Sequence, residues 1–108
     1  MSPEFEFHPD ARAEMVADVE WYDEREPGLG ERFEGAARAA IEAIVNSPEA
    51  WAVWRGWQDE PLVRSKGVKN FPYSVVYFVQ DDRIIIVAVA HTSRRPGYWQ
   101  SRLNPDNG

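Results

Sequence analysis

The residue types best suited to chemistry gather near the C-terminus, in Ala90-His91-Thr92-Ser93-Arg94-Arg95-Pro96-Gly97-Tyr98-Trp99. Arginine forks hold phosphate oxygens at two points, and histidine and tyrosine can move protons. Metal-free RNA cleavage needs those types: a base for the 2′-hydroxyl, an acid for the leaving oxygen and cations on the phosphate. A second basic segment, Val63-Arg64-Ser65-Lys66-Gly67-Val68-Lys69-Asn70, leads into the aromatics of Phe71-Pro72-Tyr73. Such a composition can clamp a nucleic-acid backbone and stack a base. The candidate catalytic set is therefore His91, Arg64, Arg94, Arg95 and Tyr98, and the candidate anion-binding set is Arg64, Lys66, Lys69, Arg94 and Arg95. Each also has a structural reading. His91 can hydrogen-bond the end of a strand, Lys66 and Lys69 can be solvated charges on an edge strand, and Trp99 can anchor the tail.

Other chemistries are narrowed by what the sequence lacks. There is no cysteine, which removes disulfides, thiolate catalysis and cysteine-based metal sites. His8 and His91 are the only histidines and stand far apart, so neither a metal site nor a cofactor is expected. The N-terminus Met1-Ser2-Pro3-Glu4 is acidic rather than basic and apolar, so no signal peptide is expected. The longest apolar run, Ile84 to Ala90, is far short of the ~20 residues that span a membrane. The expected setting is the cytoplasm, with no membrane partner.

These candidates need a scaffold, and 108 residues suit one domain, expected over 1–108 with 104–108 frayed. Glu4-Phe5-Glu6-Phe7-His8 alternates as a half-buried strand does. Pro9 suits a first helical turn, and Met15, Val19 and Tyr22, with Val16 beside them, predict a helix of about four turns. Pro27-Gly28-Leu29-Gly30 breaks it. From near Glu31, the stripe Phe33, Ala37, Ala40, Ile41 and Ile44 predicts a second helix that ends at Asn46-Ser47-Pro48. The pair reads as an antiparallel hairpin of helices.

Trp51, Trp54 and Trp57 recur every third residue, which fits one helical turn or a loop packed on the core. Strands are predicted from Leu62-Val63-Arg64, over Phe71–Val79 and over Ile84–Ala90, with Asp81-Asp82 as a turn. The last run is apolar on both faces, as a central strand would be, and its outer face could be covered by a partner. Gly97–Leu103 is expected to close the fold as a short helix. The class is α+β: an N-terminal strand and a helical hairpin packed on a small antiparallel sheet, in the order β-α-α-β-β-β.

The net charge of -6 argues, taken whole, against a protein that coats nucleic acid. It is unevenly spread. Residues 1–50 carry 13 acidic and 4 basic side chains, whereas residues 51–108 carry 5 acidic and 8 basic. Any anion contact is therefore confined to the sheet and the C-terminal segment, because local charge sets the field. Glu20, Asp23, Glu24 and Glu26 read most simply as a solvated helix face.

The strings FHPDARAEMVADVEWYDE, VRSKGVKN and FPYSVVYFVQDDRIIIVAVAHTSRRPGYW closely resemble the RelE/ParE superfamily of type II toxin–antitoxin toxins. The resemblance runs from about Phe5 to Leu103. It implies a helical hairpin on a small antiparallel sheet, and a toxin neutralised by a cognate antitoxin that wraps along it. RelE-like members cut mRNA on the ribosome, and Arg64, Lys66, His91, Arg94, Arg95 and Tyr98 are the positions able to supply such a site. ParE-like members, including plasmid-stabilisation proteins, poison DNA gyrase without being nucleases. The thin basic cluster and the closing histidine, paired arginines and Tyr-Trp place the resemblance on the ParE side. The alternatives are a RelE-like metal-independent endoribonuclease and a toxin-like module that only binds a partner.

Overall fold

The computed structural model describes residues 4–103. Its elements are β1 (Glu4–Phe7), α1 (Pro9–Arg25), α2 (Leu29–Asn46), β2 (Val63–Gly67), β3 (Tyr73–Gln80), β4 (Arg83–His91) and a 3₁₀ helix (Gln100–Leu103). The expected fraying of 104–108 lies outside the described residues.

Local chemistry sets the helix ends. Pro9 opens α1, and Nδ1 of His8 accepts the Asp10 N–H at 3.1 Å. Gly28 turns the chain with φ of 88°, a conformation that favours glycine. At Gly30 the helices touch: a Cβ there would stand 2.3 Å from the Val19 carbonyl oxygen. Asp23 is exposed, as the solvated-face reading has it, and its Oδ1 also accepts the Gly30 N–H at 2.7 Å, tying the hairpin together. The apolar stripe of α2 is buried as its spacing predicts, with Phe33, Ala37 and Ile44 fully enclosed.

The sheet runs β1-β4-β3-β2. β2, β3 and β4 are antiparallel neighbours, as expected, and β1 joins β4 in parallel, so the sheet is mixed. Strand alternation carries no information about direction, which is why β1 could not be oriented from its residues. The β3–β4 register passes from Val76↔Ala88 to Tyr77↔Ile86, leaving Val87 as the extra residue of a bulge.

Two apolar layers result. Phe33, Ala37, Ile44, Val75, Tyr77, Ile84 and Ile86 fill the space between helices and sheet. On the other face Val63, Val76, Phe78, Val87, Ala88 and Ala90 pack under Trp99, with Trp54, Trp57 and Leu103 around it. β4 is thus central and covered on both faces. The expectation that a partner could cover the outer face is corrected: the tryptophan loop and the C-terminal segment cover it. Trp51, Trp54 and Trp57 lie in a loop, not a helical turn. That loop also shields the β2 edge, with Trp54 N–H donating to the Val63 carbonyl at 2.8 Å and Ser65 N–H to Ala52 at 3.0 Å.

Candidate functional site

β1 pairs with β4 only as far as Phe7↔Ile86, so among the described residues the side of β4 away from β3 has no neighbouring strand from Val87 onward. Backbone groups there still need partners. Side chains supply them. Glu14 of α1 accepts the Val89 N–H at 3.3 Å, and Nη1 of Arg102 donates to the Val87 carbonyl at 2.9 Å. Glu14 and Arg102 are themselves joined as a fork, with Nη1···Oε1 and Nη2···Oε2 both 3.1 Å. Their side chains are 14% and 13% exposed, so the pair is largely shielded from water.

The segment after β4 folds back to build this arrangement. Nδ1 of His91 accepts the Ser93 N–H at 2.9 Å, and Arg94 N–H closes a turn onto the His91 carbonyl at 3.0 Å. Gly97, with φ of 77°, redirects the chain; a Cβ there would stand 2.9 Å from the Gln100 side chain. Trp99 then sinks completely, its ring 5.3 Å from Trp54 and 5.6 Å from Trp57. The 3₁₀ helix that follows carries Arg102 to Glu14.

Tyr98 and Arg94 join the same centre. The Tyr98 hydroxyl donates to Oε2 of Glu14 at 2.6 Å, and Nη1 of Arg94 stands 3.9 Å from that oxygen. The Arg94 guanidinium lies 4.0 Å from the centroid of the Tyr98 ring. Burial, reinforced by the hydrogen bond to Glu14, pushes the Tyr98 hydroxyl well above its ordinary value. Burial, the largest single influence, would lower Arg102, but the hydrogen bonds to Glu14 together with the charges of Glu14, Tyr98 and Asp10 outweigh it and raise the group. Neighbouring Asp18 is raised by burial and then by the Glu14 charge, against the opposing pull of Tyr73, His91 and Arg94.

Of the residues expected to act together, only some meet. His91, Arg94, Arg95 and Tyr98 line one shallow cleft of about 200 Å³, with Arg95 exposed at its rim. The His91 ring packs edge-on to Tyr73 at 5.0 Å. Arg64 and Lys66 lie elsewhere, beside Trp51: Nη1 of Arg64 donates to the Trp51 carbonyl at 2.7 Å, and Nζ of Lys66 sits 4.6 Å from the Trp51 ring. Lys69 is exposed in the β2–β3 turn. The two clefts of about 200 and 340 Å³ that His91 and Arg94 line include none of Arg64, Lys66 or Lys69. Tyr77, opposite Arg64, is pushed by burial up to about 12 and donates to the Pro48 carbonyl at 2.6 Å.

Sequence reasoning reads Glu14 only as an acidic residue suited to the N-terminal end of α1, and Arg102 only as one more basic residue. Their contact spans 88 positions, and no local pattern announces it. A second feature was also missed. An open groove of about 840 Å³ runs between α1, α2 and β1, with Phe5, Phe7, Val16 and Val45 among its apolar lining and Arg12 and Glu42 among its polar lining. Phe5 and Val16 are 44% and 53% exposed there. The signal lay in the apolar positions of the helices and first strand that exceed one core-facing stripe. No helix among the described residues is long and apolar enough to cross a membrane, and no group of three metal-ligating side chains occurs among them.

Comparison with known proteins gives a consistent result. A family model described as "ParE toxin of type II toxin-antitoxin system, parDE" matches residues 5–96. Among solved structures, a chain of the "Chromosomal ParDE TA system from P. aeruginosa" is similar in fold, with a TM-score of 0.69 and 14% sequence identity. The likeness covers 83% of this chain and 96% of that one. No curated protein matches the chain.

Proposed function

The chain belongs to the ParE toxin family of type II toxin–antitoxin systems, and from that premise we propose that it arrests growth by binding DNA gyrase and is neutralised by a cognate antitoxin. The observation that carries this reading is the family match over residues 5–96, which spans both helices, β2 to β4 and all but the first residue of β1. The geometry near β4 supports a binding rather than a nuclease role. Tyr98 and Arg102, which phosphate chemistry would need free, are held by Glu14. Arg64 is turned to Trp51 instead of joining them.

Neutralisation requires a surface for the antitoxin. The groove between α1, α2 and β1 offers exposed apolar side chains bounded by charged ones, the form that accepts an amphipathic helix. An antitoxin segment seated there would bury Phe5 and Val16.

A second reading rests on one observation: His91, Arg94, Arg95 and Tyr98 do share a cleft. It makes the chain a RelE-like ribosome-dependent endoribonuclease. Inducing the chain without antitoxin in a bacterial host separates the two. Gyrase binding predicts relaxed or broken plasmid DNA with intact mRNA, and His91→Ala leaves growth arrest unchanged. Cuts at codon positions in translated mRNA, abolished by His91→Ala, would establish the nuclease instead.

A further inference from the structure

Glu14 is the point on which the polar side chains beyond β4 converge. Two guanidinium groups and a phenol converge on its carboxylate: Arg102 as a two-point fork at 3.1 Å, Tyr98 at 2.6 Å and Arg94 at 3.9 Å. A planar fork of this kind suits carboxylate and phosphate alike. The row continues along one face of α1, because Asp10, Glu14 and Asp18 recur at intervals of four. Asp10 Oδ2 lies 3.8 Å from Nε of Arg102, and Asp18 shares a cavity of about 340 Å³ with His91 and Arg94. The cationic half of the chain is thus partly neutralised by the acidic half within the fold. Tyr98 and Arg102 also lie beyond residues 5–96, so the family match does not account for them.

We infer that the α1 carboxylates, Glu14 above all, act as an internal substitute for nucleic-acid phosphate and keep the Arg94–Arg102 segment from binding single-stranded nucleic acid. This concerns a latent phosphate-binding surface and stands whether or not gyrase is the toxin's target. Arg94 is the accessible member, 53% exposed and only loosely paired, so it is the group that an incoming phosphate would meet first. Losing the Glu14 charge frees a second cation beside it. Glu14→Gln keeps an acceptor for Tyr98 or Val89 and so keeps the scaffold.

The test measures binding of a short fluorescein-labelled single-stranded RNA by anisotropy, at several salt concentrations, with the full chain. Glu14→Gln is expected to bind at least tenfold tighter than the wild type at low salt. Its log–log salt slope should steepen by about 0.7, the contribution of one further phosphate contact on a single strand. Adding Arg94→Ala to Glu14→Gln should abolish the gain. Glu24→Gln changes the net charge equally at an exposed position elsewhere on α1 and should leave binding unchanged. Equal gains from Glu14→Gln and Glu24→Gln, or a folded Glu14→Gln with wild-type binding, overturn the inference. If Glu14→Gln does not fold, Asp10→Asn/Asp18→Asn decides the matter, because Asp10 is exposed and Asp18 is only half-buried. A gain of at least threefold from that pair supports the inference, and none overturns it.

Discussion

Glu14→Ala is expected to be the most damaging single change on the helical hairpin outside its apolar core. It removes the acceptor for four donors: both Arg102 nitrogens, the Tyr98 hydroxyl and the Val89 N–H. Breaking a buried ion pair by deleting one partner costs about 3–5 kcal/mol, because the remaining charge is left without compensation. Arg102 keeps the Val87 carbonyl and has Asp10 at 3.8 Å, which places the expected loss near the lower end, about 3 kcal/mol. For a domain of this size that lowers Tm by ~12–24 °C. Glu14→Gln, which still accepts one or two of the four hydrogen bonds, should lose only about 1–2 kcal/mol. Urea unfolding followed by far-UV circular dichroism and tryptophan fluorescence measures both. The double variant Glu14→Ala/Arg102→Met removes both charges and should recover about 1–3 kcal/mol relative to additivity. A Glu14→Ala loss under about 1 kcal/mol, or strictly additive effects in the double variant, would refute the view that this carboxylate fastens the C-terminal segment.

Three further outcomes follow from the same geometry. Trp99→Ala should cost about 3–5 kcal/mol, because a fully enclosed ring packed on Trp54 and Trp57 is replaced by a void; hydrogen exchange should lose protection in residues 97–103 before α2, and uniform loss would contradict this. Val16→Glu should weaken binding of the cognate antitoxin at least tenfold by calorimetry, yet shift stability by under about 0.5 kcal/mol, since Val16 is 53% exposed. Asp18 is raised above its ordinary 3.8 by burial and by Glu14, so its charged form opposes folding. Its contribution to stability is full below 3.8 and is lost as pH climbs through the raised value of the folded state. Asp18→Asn should therefore raise Tm at neutral pH, with the gain vanishing in acid; a lower Tm at pH 7 would show that Asp18 is held chiefly by its partners.

Periodicity carried most of the fold. The spacing of Phe33, Ala37, Ile41 and Ile44 marked the buried face of α2, and Asn46-Ser47-Pro48 marked its end. The run Ile84–Ala90 announced a central strand. Patterns of this kind are local and report burial directly. What escaped was non-local. Nothing in Glu4–Phe7 says that β1 runs parallel to β4, and the tryptophan spacing of three suited a helical turn as well as a loop. The candidate site shows the same division. His91, Arg94 and Tyr98 were legible because they follow a buried strand, whereas their neutralising partner lies 84 residues from Tyr98 on another element. Arg64 shared their chemistry but not their location, since a cross-strand position opposite Tyr77 turns it toward Trp51.

The proposed target is tested most directly with purified components. DNA gyrase is assayed for ATP-dependent supercoiling of a relaxed plasmid in the presence of stoichiometric amounts of the chain, alone and preincubated with its antitoxin. The account predicts that supercoiling fails or that cleaved plasmid accumulates with the chain alone, that antitoxin restores activity, and that Val16→Glu remains inhibitory but escapes rescue. Unimpaired supercoiling by a folded chain that still arrests growth in cells would contradict it.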